Sequence, residues 1–131
     1  THLLPIIMQT ANGQRESVSI FGNDYDTNDG TCIRDYIHVN DLANAHLQGL
    51  NYLNKSGSSS AEFNLGNGDG FSVKEVIQQV KKITQKDFKV VEGKRRNGDP
   101  AILIASNQNA KAKLKIELRY PSLKDIIKTV L

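Results

Sequence analysis

The sequence is poor in several residue types on which common kinds of site depend. Its 131 residues include one cysteine, Cys32, and no tryptophan. A single cysteine excludes an internal disulfide and a zinc site built from several cysteines, and it favours a reducing compartment, for which we expect the cytoplasm. The chain also lacks any run of about 20 apolar residues, so the sequence predicts no membrane span.

A strong excess of one charge is missing as well. Lys and Arg total 17 against 14 Asp and Glu, which leaves a formal net charge of +3. Nucleic-acid-binding domains use sustained basic character to neutralise many phosphates, so we expect no nucleic-acid partner. The three histidines, His2, His38 and His46, share no metal-ligand spacing, and we expect no metal site. Hydrophobic residues make up 38% of the chain, enough for one domain over residues 1–131.

The first residues of the chain are an apolar, helix-like segment that starts at Thr1. Natural termini are usually polar and frayed, so we expect this sequence to be a piece of a longer protein. We further expect the helix over 1–12 to present an exposed apolar face that normally packs on a missing domain. Exposed apolar surface promotes association, so self-association of this chain is predicted.

Residue patterns predict short helices and strands in mixed order, without an internal repeat. Such a mixture favours a small α+β fold with mixed α/β packing. Strands are expected at Ser17–Phe21, Glu62–Leu65 and Phe88–Glu92. Helices are expected from Pro5, from a cap at Asn40 or Asp41, from the cap Ser72, from the cap Ser106 to Leu114, and from the cap Ser122.

The second predicted helix carries an apolar stripe formed by Ala43, Leu47, Leu50 and Leu53. Such a stripe is typical of a helix that packs on a core. The helix ends in a polar segment, 54–60, which we expect to be solvated and flexible.

Glycines at 66, 68 and 70 stand between a predicted strand and a predicted helix, which suggests a dinucleotide-binding loop. Their spacing differs from the G-x-G-x-x-G fingerprint of such loops. Ser72 and Glu75 also form a capping box that already starts the helix. We therefore expect a tight turn and not a nucleotide site.

Two arginine-bearing segments are candidates for phosphate binding. Arg34 lies where a long polar loop re-enters ordered structure, and Arg95 and Arg96 lie in a glycine-flanked turn. The planar guanidinium fork suits phosphate oxygens, and glycine lets the backbone come close. The alternative for each arginine is an ordinary surface charge or an ion pair with Asp35 or Asp99.

Catalytic patterns are weak throughout the sequence. Tyr120 and Lys124 have the Tyr-x-x-x-Lys spacing, in which a lysine on the same helical face lowers the pKa of the tyrosine. Pro121 and the expected cap Ser122 interrupt that face, so we interpret the spacing as a coincidence. Cys32 is expected to be a small buried residue and not a nucleophile.

Four segments agree, in order, with one known pattern. The longest is SIFGNDYDTNDGTCIRDYIHVNDLANAH over 19–46, and the others are HLLP over 2–5, FNLGNGDGFSV over 63–73 and RRNGDPA over 95–101. Together they closely resemble the UDP-glucose 4-epimerases (UDP-galactose 4-epimerases), which are extended short-chain dehydrogenases/reductases. One departure is Lys115, which stands where members of that family commonly have glycine.

The resemblance implies the C-terminal substrate-binding part of such an enzyme. In that family a Rossmann domain binds NAD, and a Tyr-x-x-x-Lys pair with a Ser or Thr moves the protons. All of these would lie outside this chain, which would hold no catalytic residue and be inactive alone. The whole enzyme would be a homodimer that interconverts UDP-galactose and UDP-glucose through a transient 4-keto sugar.

The resemblance also implies a UDP-hexose site within this chain. Arg34 and Arg96 would hold the diphosphate, with Asp99 near the ribose. The remaining residues of the implied site are Leu3, Ser19, Ile20 and Phe21 around uracil and ribose, Tyr36, and Leu103 in the sugar pocket. Two alternatives stay open: another NAD-dependent nucleotide-sugar epimerase, decarboxylase or dehydratase, and a non-catalytic nucleotide-sugar-binding module.

Overall fold

A computed structural model describes residues 2–55, 57 and 59–131 of the chain. The predicted flexible segment 54–60 therefore lies partly outside the described residues. None of the helices in the described part is long and apolar enough to cross a membrane. The elements are α1 Leu3–Ala11, β1 Ser17–Phe21, β2 Ile33–Asp35, α2 Val39–Leu53, β3 Gly70–Ser72, α3 Val73–Thr84, β4 Lys89–Gly93, β5 Ile102–Leu103, α4 Gln108–Leu114 and α5 Leu123–Lys128.

Two small sheets organise these elements. β1 and β4 pair in parallel, with Ser17 opposite Lys89 and Phe21 opposite Gly93. In the second sheet β2 is the central strand, antiparallel to β3 and parallel to β5. The prediction of a small fold that mixes helices with short strands is confirmed.

The main core forms where α1, β1, α3 and α5 pack together. α1 buries Leu4, Ile7 and Met8, and α3 buries Val76, Ile77 and Val80. The expectation that the helix over 1–12 leaves its apolar face exposed is therefore wrong. Its apolar residues recur at helical spacing, and the neighbouring helices of this same chain cover them.

The α2 helix, in contrast, presents its apolar stripe to solvent. Leu47, Leu50 and Leu53 are 55%, 60% and 57% exposed, and Ala43 is exposed too. The prediction that this stripe packs on a core is wrong, because the opposite face of the helix is the buried one. Ala45 on that face packs in a second cluster with residues of and after α4, namely Ala110, Leu114 and Ile116.

Asp41 fixes that orientation of α2. Its carboxylate is buried and accepts hydrogen bonds from the backbone N–H groups of Arg119, at 2.8 Å, and Tyr120, at 3.0 Å. The helix is capped by His38, whose Nδ1 accepts the Asn40 N–H at 3.0 Å, and not by the expected Asn40 or Asp41. A buried carboxylate with two amide donors is well stabilised, so the polar residue faces inward.

The remaining differences concern the boundaries of elements. Residues Glu62–Leu65 form no strand; Phe63 and Leu65 pack against the second cluster instead. α4 begins after Asn107 and not after Ser106. The capping box is confirmed: Ser72 Oγ accepts the Glu75 N–H at 3.0 Å, and the Glu75 carboxylate accepts the Ser72 N–H at 2.7 Å.

Candidate functional site

A cavity of about 360 Å³ lies between β1, α1, β2 and the turn after β4. Ser17, Ser19 and Phe21 form one wall, because alternate residues of a strand point to the same side. Three arginines and one aspartate line the cavity, so its charged lining carries a net +2. The lining residues are Leu3, Ile6, Arg15, Ser17, Val18, Ser19, Phe21, Cys32, Arg34, Tyr36, Val73, Arg96 and Asp99.

Arg34 is the most firmly held of the three arginines. It lies in the middle of β2, opposite Phe71 on one side and Leu103 on the other. Its guanidinium donates to the Ile33 carbonyl at 2.6 Å, to the Pro100 carbonyl at 2.7 Å, and to the Asp99 carboxylate. These acceptors leave other N–H groups of the fork available to a ligand, since a guanidinium carries five.

Arg96 reaches the same cavity from the turn after β4. Its guanidinium carbon lies 3.9 Å above the centre of the Phe21 ring, which is a cation–π contact. Arg96 itself is exposed, so the aromatic face orients the charge without removing it from solvent. Two guanidinium groups from different parts of the chain therefore serve one cavity, an arrangement suited to an anion with several oxygens.

Burial near the cavity acts on two ionisable groups. It raises the pKa of Tyr36 to about 12, so the hydroxyl stays protonated and can donate a hydrogen bond. Burial also raises the pKa of the Cys32 thiol, against the influence of Arg34. A thiol with a raised pKa is a poor nucleophile, in keeping with the structural role expected of Cys32.

The predicted site residues divide into two groups. Seven of them line this cavity: Leu3, Ser19, Phe21, Arg34, Tyr36, Arg96 and Asp99. The side chain of Ile20 points away from it into the main core and is 3% exposed. Leu103 is exposed and lies in a neighbouring shallow depression, which shares Arg34 with the cavity.

Among the six lining residues that were not assigned to the site from the sequence, three follow the periodicity of a neighbouring predicted residue: Ile6, Arg15 and Ser17. Ser17 continues the alternation of Ser19 and Phe21 to the start of β1, and Arg15 extends the same spacing two residues before the strand. Ile6 lies three residues after Leu3, on the same face of α1. Strand and helix periodicity would have found all three once one residue of each wall was chosen.

The glycine turn does not offer a dinucleotide site. The Asp35 carboxylate accepts the backbone N–H groups of Asn67 at 2.7 Å, Gly68 at 3.3 Å and Ala105 at 3.2 Å. The Asn67 and Gly68 amides of the turn are therefore already used by Asp35 and are not available to a phosphate. A Cβ at Gly66 would lie 2.3 Å from an Asp35 carboxylate oxygen, so glycine is required for this close approach. The turn therefore does not fit the diphosphate of NAD.

Tyr120 and Lys124 do not share a helical face. Tyr120 precedes α5 and stacks on His38 with 3.9 Å between the ring centres, whereas Lys124 lies inside α5. Within the described residues, no three His, Cys, Asp or Glu side chains are grouped as metal ligands would be. What the cavity of Arg34 and Arg96 can do chemically is bind an anion.

Comparison with known proteins agrees with the sequence pattern. A UDP-glucose 4-epimerase of Halalkalibacterium halodurans is 54% identical over 127 residues, which are 97% of this chain and 38% of that protein. A crystal structure of a UDP-glucose 4-epimerase superposes with a TM-score of 0.91 at 52% identity, over 98% of this chain and 39% of the other. The resemblance to these enzymes is thereby confirmed.

A third relative was solved with ligands. It is a UDP-glucose 4-epimerase from Bifidobacterium longum in complex with NAD+ and UDP, with a TM-score of 0.87 and 36% identity over 96% of this chain and 37% of the other. The chain spans less than two fifths of the length of these relatives. The model of the NAD dependent epimerase/dehydratase family matches residues 1–66, and the chain belongs to that family.

Proposed function

We propose that this chain recognises the UDP part of a UDP-hexose for an enzyme of the UDP-glucose 4-epimerase type. The observation that carries the proposal is the shared cavity of Arg34 and Arg96, two guanidinium groups on separate segments. Their charge and planar donor forks match the oxygens of a diphosphate. Asp99 lies beside Arg34, and we assign it to the ribose, because its carboxylate can accept hydrogen bonds from the ribose hydroxyls.

The rest of the cavity supplies a base-binding wall in this proposal. Leu3 and Ile6 offer apolar contact, and Ser17, Ser19 and Phe21 form the opposite wall on one face of β1. Ile20 does not line the cavity, because its side chain belongs to the core. The hexose would extend past Arg34 into the depression that holds Leu103.

The activity we assign to the whole protein is the interconversion of UDP-galactose and UDP-glucose through a 4-keto sugar. NAD supplies the hydride chemistry of such a reaction when it is bound. The glycine turn is occupied by Asp35, and the chain spans less than two fifths of the length of its relatives, so we assign NAD and the proton-transferring groups to other parts of the whole protein. This chain binds and orients the nucleotide, and we expect it to be inactive alone.

Titration of the ¹⁵N-labelled chain with UDP tests the proposal. The Arg34 and Arg96 amide and side-chain Nε–H signals should shift first, with a dissociation constant in the millimolar range. Each charged hydrogen bond contributes about 1.5–3 kcal/mol, so Arg34→Ala and Arg96→Ala should each weaken binding by about tenfold or more. Lys94→Ala removes one exposed cation from the same turn and should change the affinity little.

Comparison of ligands completes the experiment. UDP should bind more tightly than uridine, which lacks the phosphates, and more tightly than pyrophosphate, which lacks the base. If UDP binds equally well to the Arg34→Ala, Arg96→Ala and Lys94→Ala variants, the cavity is not the nucleotide site. A UDP-glucuronate preference over UDP-glucose and UDP-galactose would instead favour another nucleotide-sugar enzyme of the same family.

A further inference from the structure

The segment that carries Arg96 is fastened to a second loop. We call residues 93–100 the arginine turn and residues 22–30 the tyrosine loop. The Gly22 N–H donates to the Gly93 carbonyl at 2.9 Å, which continues the pairing of β1 with β4. Asn23 Nδ2 donates to the Glu92 carboxylate at 2.7 Å. The two segments therefore leave the sheet side by side.

Arg95 connects the arginine turn to the tyrosine loop through three contacts. Its Nε donates to the Asp24 carboxylate at 2.6 Å, and its terminal nitrogen donates to the Asp24 carbonyl. Its guanidinium carbon also lies 4.2 Å above the centre of the Tyr25 ring. One guanidinium thus joins the tyrosine loop through an ion pair, a backbone hydrogen bond and an aromatic face.

Gly22 and Tyr25 are arranged to allow this contact. Gly22 has a φ of 88°, and a Cβ there would lie 2.6 Å from the Tyr25 ring and 2.7 Å from Arg95 Cγ. Tyr25 is 5% exposed, yet its hydroxyl has no hydrogen-bond partner among the described residues. The ring, and not the hydroxyl, is what Arg95 uses.

Arg95 and Arg96 are adjacent in the arginine turn, but their side chains pack on different aromatic rings. Arg95 lies on Tyr25 of the tyrosine loop, whereas Arg96 lies on Phe21 in the cavity. Arg95 is exposed and does not line the cavity, so it does not contact a ligand there. We propose that Arg95 is a positioning residue, which anchors the arginine turn so that Arg96 stays on Phe21 and faces the cavity. The inference rests on the proposed function for its effect on UDP binding.

The first test reads the position of Arg96 without any ligand. A side-chain Nε–H group near the face of an aromatic ring is shifted by the ring current, so the Arg96 signal should lie away from that of an exposed arginine. In Arg95→Ala the signal should move toward the exposed value, whereas in Lys94→Ala it should stay. Arg95→Lys keeps the cation but loses the fork, and it should give an intermediate shift.

The second test is a double-mutant cycle on UDP affinity. Arg95→Ala should weaken UDP binding about fivefold, which is the loss expected if Arg96 no longer keeps its cation–π contact with Phe21. On an Arg96→Ala background the same substitution should have no further effect, because there is then no Arg96 to position. Tyr25→Phe keeps the ring and should bind UDP as the unchanged chain does, whereas Tyr25→Leu should behave like Arg95→Ala.

The outcomes separate the two proposals. An Arg96 signal unaffected by Arg95→Ala overturns the positioning role, as does an equal loss of affinity with and without Arg96. If the signal moves as expected but UDP affinity depends on none of these arginines, the positioning holds and the proposed nucleotide site fails. A general loss of folding in Arg95→Ala is recognised in the whole amide spectrum, and Arg95→Lys then carries the test.

Discussion

Arg34 and Asp99 form an ion pair in the wall of the cavity, although they are 65 residues apart in the chain. Both side chains are largely covered, with 21% and 27% of their surface exposed. The pair joins β2 to the arginine turn and so contributes to assembling the cavity. It also places a negative charge beside the guanidinium that we assign to a diphosphate, and like charges repel.

Asp99→Asn should therefore strengthen the binding of inorganic pyrophosphate. Removal of one nearby negative charge at a partly exposed site is worth about 0.5–1 kcal/mol, or roughly two- to fivefold in affinity. Arg34 should keep its position, because the Ile33 and Pro100 carbonyls still accept two of its hydrogen bonds. Isothermal titration calorimetry at low salt measures the effect.

Asp26→Asn is the matched control for that experiment. Asp26 is exposed and does not line the cavity, so its substitution changes the net charge equally without changing the site. Equal effects of the two substitutions would show that pyrophosphate responds to net charge and not to the Arg34–Asp99 pair. Weaker pyrophosphate binding in Asp99→Asn would show that Asp99 is needed to hold Arg34.

Lys115→Gly should stabilise the fold by about 1 kcal/mol. Lys115 ends α4 with a φ of 56°, in the left-handed region that costs a residue with a Cβ roughly 1–2 kcal/mol. Lys113 lies inside the same helix and is also exposed, so Lys113→Gly should lower stability by about 1 kcal/mol. Urea denaturation of both variants gives the two opposite changes, and changes of the same sign would contradict the prediction.

Local signals predicted much of the fold. The Ser72–Glu75 capping box and the alternation in Ser17–Phe21 depend on near neighbours, and both appear where expected. The orientation of α2 could not be predicted this way. Its buried face is set by Asp41, which accepts hydrogen bonds from the distant backbone of Arg119 and Tyr120, while the more apolar face is left exposed.

The candidate site shows the same division. The family pattern and the chemistry of guanidinium indicated Arg34 and Arg96, and the structure brings them to one cavity. The contact of Arg95 with Tyr25 was not predictable, because it depends on how two loops leave the sheet. The opposite placement of Ile20 follows from strand alternation, which sends every second side chain of β1 into the core.

The exposed stripe of α2 should tolerate polar substitution. Leu47→Gln with Leu50→Gln should change the free energy of unfolding by less than about 1 kcal/mol, since both side chains are more than half exposed. Ile77→Ala, in the core, should cost about 2–5 kcal/mol.

Light scattering should show that the double variant associates less at high concentration, because self-association requires exposed apolar surface. Association unchanged in the double variant would direct attention to another surface.

Asp29 should make the free energy of unfolding of the chain depend on pH in the acidic range. Although partial burial opposes its ionisation, hydrogen bonds from Ser72 and Thr31 lower the pKa of the Asp29 carboxyl below its usual 3.8. A pKa lowered by folding gives stability that is present above about pH 4 and is lost as the pH falls through the folded value. Asp29→Asn should therefore cost about 1–2 kcal/mol at pH 7, and its difference from the unchanged chain should shrink as the pH falls below about 4. Urea denaturation at pH 7 and in steps of pH below 4 measures this, with the exposed Asp69→Asn as control. A difference that stays constant with pH would mean that the tyrosine loop is attached to α3 by hydrogen bonds whose strength does not require the charge.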